Sequence, residues 1–204
     1  DLPLRVTADL AHANELLGLQ DANGSPQLNA SREELSNLVR QTTERNPKLL
    51  GSYIGWEPNA FDGNDDLYAG PKENGYDGTG RFIPWWFRNS DGSLGIDALG
   101  TLESETRLPT GVREGEYYLC PKERKRACVI DPAPYDVGGK TIMLASFTTP
   151  IMVNGEFRGI AGADLAVNFI QDLLVNADRQ LYEGAGEMAL ISNNGRLVAY
   201  TKDA

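Results

Sequence analysis

Histidine is almost missing: His12 is the only one, and it falls in a helix-patterned stretch where a solvent-facing or hydrogen-bonded imidazole is expected, not a catalytic base. The chain also lacks a Gly-x-Ser-x-Gly elbow, a His-Glu-x-x-His pair and a phosphate-binding glycine loop ahead of a helix. Hydrolase, zinc-protease and nucleotide-binding readings lose their usual support. No apolar run approaches the ~20 residues that span a bilayer. The chain begins without Met and shows no leader, so it is expected to be a soluble piece of a longer protein whose anchors lie outside it. Basic charge is in deficit: 19 Lys and Arg against 29 Asp and Glu leave a net charge of −10. Such a surface repels phosphate backbones and anionic lipid and concentrates cations, which argues against nucleic acid as a partner.

Only two cysteines occur, Cys120 and Cys128. Two thiolates can form half of a zinc site, but such a site needs about four ligands and His12 is remote in sequence. A disulfide in an oxidising compartment fits better. It would staple the loop 121–127, which carries Lys122, Glu123, Arg124, Lys125 and Arg126 and has little apolar surface of its own to bury.

The patterning that is present reads as helices, then strands. Val6, Leu10, Ala13 and Leu17 recur at helical spacing over residues 4–19. Ser31 and Glu34 form a capping-box signature for a second helix, which Asn46-Pro47 ends. Strands are expected over 49–56, 81–87, 140–150 and 157–166, the last two joined by an Asn154-Gly155 turn. Residues 93–115 carry no clear pattern. A third helix is expected over 167–182, with Phe169, Ile170, Leu173, Leu174 and Leu181 on one side, followed by a hairpin around Asn193-Asn194-Gly195. This order implies an α+β fold with an antiparallel sheet.

Aromatic residues and carboxylates share the central region. Tyr53, Trp56, Trp85, Trp86, Tyr117, Tyr118 and Tyr135 are interspersed with Asp62, Asp131, Asp136 and Asp164. Aromatic faces attract cations by about 0.5–2 kcal/mol, and carboxylates accept charge-assisted hydrogen bonds from ammonium groups. The same residues also suit an ordinary core with Asp-capped turns. Asp164 tips the balance. It ends the run Gly159-Ile-Ala-Gly-Ala-Asp164, and period two puts it on a face with Ile160 and Gly162, where a carboxylate needs a partner. A calcium loop is a weaker reading of Asp62-Gly-Asn-Asp65-Asp66: Glu73 suits its twelfth position, but Leu67 occupies the sixth, where glycine belongs. No resident metal or cofactor is expected.

Four motifs in order, Gly80-Arg-Phe-Ile-Pro-Trp-Trp86, Tyr135 before Gly138-Gly139-Lys140, Ser146-Phe-Thr-Thr-Pro-Ile151 and Gly159-Ile-Ala-Gly-Ala-Asp-Leu165, resemble the membrane-distal module of double Cache sensor domains. These domains serve methyl-accepting chemotaxis receptors and sensor kinases. The resemblance implies a long N-terminal helix on a PAS-like antiparallel sheet. The implied organisation is a helical segment 1–48, a membrane-distal ligand module 49–182 and the start of a membrane-proximal module at 183–204. It implies a periplasmic sensor without catalytic activity, homodimeric in the intact receptor and reaching the membrane through segments outside this chain. Amino-acid-sensing members carry Arg where this chain has Ile83, and an Asp matching Asp164 holds the ligand's ammonium. Retention of Asp164 without the Arg implies a cationic amine such as putrescine, spermidine or histamine; an amino acid, quaternary amine or purine is the alternative. The implied ligand-binding set is Tyr53, Trp56, Asp62, Trp85, Trp86, Asp131, Tyr135 and Asp164, with Asp131 meeting a second amine.

Overall fold

The computed structural model describes residues 1–71 and 74–203. Two helices open the chain: α1 (Leu2–Gly18) and α2 (Arg32–Arg45). The α2 capping box forms as its sequence requires. Ser31 Oγ accepts from the Glu34 N–H, and the Glu34 carboxylate accepts from the Ser31 N–H.

Strands β1 (Gly51–Trp56), β2 (Pro84–Arg88), β3 (Leu94–Ala98), β4 (Cys128–Val137), β5 (Lys140–Val153) and β6 (Glu156–Ala166) form one antiparallel sheet in the order β3-β2-β1-β6-β5-β4. Helix α3 (Glu116–Arg124) precedes β4, and α4 (Val167–Tyr182) follows β6. A separate two-stranded sheet pairs β7 (Ala189–Ile191) with β8 (Leu197–Tyr200). The mixed α+β architecture agrees with the sequence expectation.

Central strand β1 is buried along its whole length, because both faces of the sheet are covered. On one face Ile54 and Trp56 join Leu10 and Ala11 of α1 and Leu35 and Val39 of α2. On the other, Tyr53 joins Trp85, Phe87, Tyr117, Tyr118, Leu144 and Ile160. The alternation follows from the two-residue period of an extended chain. Arg32, itself buried, ties the start of α2 to the loop before β2. It pairs with Asp62 (2.6 Å) and Asp65 (2.7 Å) and lies 4.1 Å above the Tyr68 ring.

Three segments depart from the sequence reading, one of them β4, where no strand was expected. The stretch 93–115, without clear pattern, contains β3. The stretch 121–127, expected as a stapled loop, is instead largely the last turn of α3. Pro121 and the charge of residues 122–126 disguise that helix, whose buried side, Tyr117, Tyr118 and Cys120, is short. Cys120 and Cys128 are joined by a disulfide, which connects α3 to the start of β4.

Candidate functional site

A cavity of about 520 Å³ lies on the face of the sheet opposite α1 and α2. The register of the strands builds its floor. Asp164 on β6 pairs with Ser146 on β5 and Gly51 on β1, and Tyr53 pairs with both Gly162 and Trp85. Paired residues project to the same face, so Ser146 Oγ lies 2.7 Å from an Asp164 carboxylate oxygen and donates to it. Two glycines leave the space the aromatic rings need. A Cβ at Gly162 would lie 2.0 Å from the Tyr53 ring, and one at Gly51 would lie 2.8 Å from the Trp85 indole nitrogen.

Three tyrosines and a tryptophan form the walls. Tyr117 from α3 meets Tyr53 edge-on at 5.8 Å and Tyr135 of β4 at 6.2 Å. Tyr135 donates to the Glu114 carbonyl (3.2 Å), and Tyr117 to the Gly100 carbonyl. The Tyr53 hydroxyl and the Trp85 indole N–H, on residues only 2% and 9% exposed, make no hydrogen bond of ordinary geometry within the protein, although Tyr53 lies near Ser146 and Trp85 near Asp164. Buried polar groups are ordinarily paired. Both residues line the cavity, where a ligand or water can satisfy them.

The electrostatics are one-sided. Asp164 is 2% exposed at the floor, while Asp97, Glu114 and Asp136 line the more accessible part of the cavity. Among the described residues, no Lys, Arg or His lines it. Burial raises the Asp164 carboxyl from its ordinary 3.8 to about 7, against smaller opposing effects of the Ser146 hydroxyl and the Trp85 indole. Burial likewise pushes the Tyr53 and Tyr117 phenols well above their ordinary range, so both are neutral donors. The cavity therefore holds a desolvated carboxyl, uncharged aromatic faces and unsatisfied hydrogen-bonding groups, an arrangement suited to binding. Among the described residues, no group of three or more His, Cys, Asp or Glu is placed to hold a metal ion.

Four of the eight ligand-binding residues expected from the sequence meet in this cavity: Tyr53, Trp85, Tyr135 and Asp164. The other four are placed elsewhere. Trp56 is three residues beyond Tyr53 and so faces the helices, where its indole donates to Asn14 (3.1 Å). Trp86 projects opposite to Trp85 and donates to Ser36 of α2 (3.0 Å). Asp62 neutralises buried Arg32, and Glu73, the twelfth position of the calcium reading, lies outside the described residues. Asp131 sits at a register shift between β4 and β5 and accepts from the backbone N–H groups of Asn193 and Asn194 (both 2.9 Å). Sequence reasoning left Ser146, Asp97 and Glu114 out of the site. Ser146 had a usable signal in its strand parity. Asp97 and Glu114 fall in the unpatterned stretch and had none.

Comparison with known proteins now places this geometry. Residues 35–172 match the first PDC sensor domain of methyl-accepting chemotaxis protein-like receptors, and the chain belongs to this family. It is 33% identical over 177 residues to the methyl-accepting chemotaxis protein TlpQ of Pseudomonas aeruginosa, covering 85% of this chain and 24% of TlpQ. The extracellular domain of a protein assigned as a histidine kinase, mmHK1S-Z3, superposes with a TM-score of 0.73 at 26% identity, over 98% of this chain and 63% of that one. The periplasmic sensory domain of the Campylobacter jejuni chemoreceptor Tlp1 shares the fold, with a TM-score of 0.60 at 12% identity over 98% of this chain and 65% of that one. The chain is thus an extracellular sensor domain of the kind carried by chemoreceptors and histidine kinases, and it spans about a quarter of the length of TlpQ. Among the described residues, no helix is long and apolar enough to cross a membrane.

Proposed function

We propose that this domain senses a small cationic amine, such as putrescine, spermidine or histamine, in a chemotaxis receptor of the bacterial periplasm. The observation that carries the reading is the acidic character of the cavity: four carboxyl groups, aromatic walls and, among the described residues, no cation lining it. An α-carboxylate ligand would enter with no basic side chain to receive it. Ile83, at the position where amino-acid sensors carry Arg, is fully buried in the core. Asp164 and Ser146 receive one ammonium group, Tyr53 and Trp85 wall it, and exclusion of water strengthens the contact. Asp97, Glu114 and Asp136, not Asp131, are the acids available to a second amine.

Residues 49–182 then form the membrane-distal module carried behind the helical segment 1–48, and 183–204 open a membrane-proximal one. Leu190, Ile191 and Leu197 are exposed on the β7–β8 sheet, and a two-stranded sheet is at best marginally stable alone. In the intact receptor α1 pairs with its copy in a homodimer anchored by flanking membrane segments.

Thermal unfolding of the chain with putrescine, histamine, amino acids or calcium tests the reading. At a hundredfold excess over Kd a ligand adds about 2.7 kcal/mol of stability, which raises Tm by roughly 5–10 °C in a domain of this size. A shift with an amine and none with calcium or amino acids is expected. A shift with amino acids alone overturns the ligand class.

A further inference from the structure

A second cavity, also of about 520 Å³, has the opposite character. It lies at the corner of α3 and β4, and no residue lines both cavities. Its lining includes Val112, Ile130 and the Cys120–Cys128 disulfide, all buried. The guanidinium-bearing side chains of Arg107, Arg124 and Arg126 also line it, in a protein whose net charge is −10.

The two carboxylates in this lining, Glu116 and Asp131, offset only part of those three charges, and both already have partners. Glu116 is held by Nε and Nη2 of Arg113, and Asp131 accepts three N–H groups from Asn193 and Asn194. The neighbouring Glu123 is also taken by Arg113, through both terminal nitrogens (2.8 and 2.9 Å). Among the described residues, Arg124 and Arg126 make no side-chain hydrogen bond or close ion pair, although Arg124 lies near enough to help hold the Glu123 carboxyl below its ordinary range, and Arg107 donates only to the Gly111 carbonyl. Three like charges around one concavity repel each other, and an anion seated between them removes that repulsion. A guanidinium presents a planar fork of donors that matches carboxylate and phosphate oxygens. The protein's other negative charge does not exclude an anion here, since charges beyond about 8 Å are screened at physiological salt.

We propose that this cavity is a second ligand site, for a small oxyanion bearing two or more negative charges, of the polycarboxylate or phosphate class. Asn193 and Asn194, in the β7–β8 turn, line it as well, so a bound anion bridges the α3–β4 corner and the hairpin.

Calorimetric titration of the 204-residue chain at low ionic strength, with citrate and separately with inorganic phosphate, tests the site. Saturable one-to-one binding of at least one probe is expected, and which probe binds assigns the class. The paired variant Arg124→Gln with Arg126→Gln should lose tenfold or more in affinity, with the fold checked by circular dichroism. A control pair on other surfaces, Arg40→Gln with Arg158→Gln, should bind like the parent. Absence of saturable heat with both probes, unchanged binding in the first pair, or an equal loss in the control pair overturns the proposal.

Discussion

Trp85 and Trp86 are neighbours in the chain and leave β2 on opposite sides of the sheet. Trp85 lines the cavity that holds Asp164, while Trp86 donates to Ser36 of helix α2. Both replacements should cost stability, since both rings pack in the core, but only one should cost binding. Trp85→Ala removes an aromatic face worth about 0.5–2 kcal/mol to a cation, so putrescine affinity should fall several-fold. Trp86→Ala empties the α2 interface at a cost of about 3–5 kcal/mol. It should lower the midpoint of urea unfolding yet leave affinity near the parent value in the folded protein. Equal losses of affinity in both variants would contradict the facing of the two rings.

Asp164→Asn keeps the shape of the floor and removes its charge. A desolvated ammonium left without its carboxylate loses about 2–5 kcal/mol, or roughly 30-fold to several-thousand-fold in Kd. Asp131→Asn, outside the cavity, should leave amine affinity unchanged. Glu114→Gln should weaken putrescine more than a monoamine of equal length. Calorimetry on the three variants distinguishes the floor from the rim.

The raised pKa of Asp164 has a definite sign in stability. Its carboxyl titrates near 3.8 when exposed and at about 7 in the fold. Between these values the native state holds a proton that the unfolded chain releases. Without ligand, stability should fall as pH rises through this window and level off above pH 7, by on the order of 4 kcal/mol in total. Asp164→Asn should lack this component, which the difference between the two urea-unfolding series isolates. Putrescine must displace the same proton, so its affinity should drop up to tenfold per pH unit below 7. Proton release on binding at pH 6, read from calorimetry in buffers of different ionisation heat, checks the coupling.

Gly162→Ala places a methyl group 2.0 Å from the Tyr53 ring. The ring must leave the cavity floor, or the β1–β6 pairing must open. The variant should lose stability by about 1–3 kcal/mol, the usual range for overpacking, and should lose affinity with it. Tyr53→Phe, which deletes only the unpartnered hydroxyl, should be neutral or stabilising in the free protein.

The disulfide joins two elements that supply cavity walls, since α3 carries Tyr117 and β4 carries Tyr135. Replacing Cys120 and Cys128 together by Ala should cost about 2–3 kcal/mol by the chain-entropy estimate for so short a loop. Ligand affinity should fall as Tyr117 gains freedom. Intact mass after alkylation without reductant should show no modified cysteine in the parent.

The amino-acid sequence by itself determined helices α1, α2 and α4, strands β1, β2, β5 and β6, the α2 cap, the tight turn at Asn154-Gly155 and the face on which Asp164 lies, but not β3, α3 or β4. Each is a local property: a 3.6- or two-residue period, a hydrogen bond spanning three residues, a glycine where φ is positive. It did not determine which carboxylates share the cavity. Asp131 and Glu114 look alike in the chain, yet one caps the Asn193–Asn194 turn and the other lines the rim, because strand register and the packing of α3 bring distant segments together. The same holds for Trp56 and Trp86. Parity along a strand separates neighbouring side chains, but only the helices packed on one face of the sheet decide which parity is core and which is cavity.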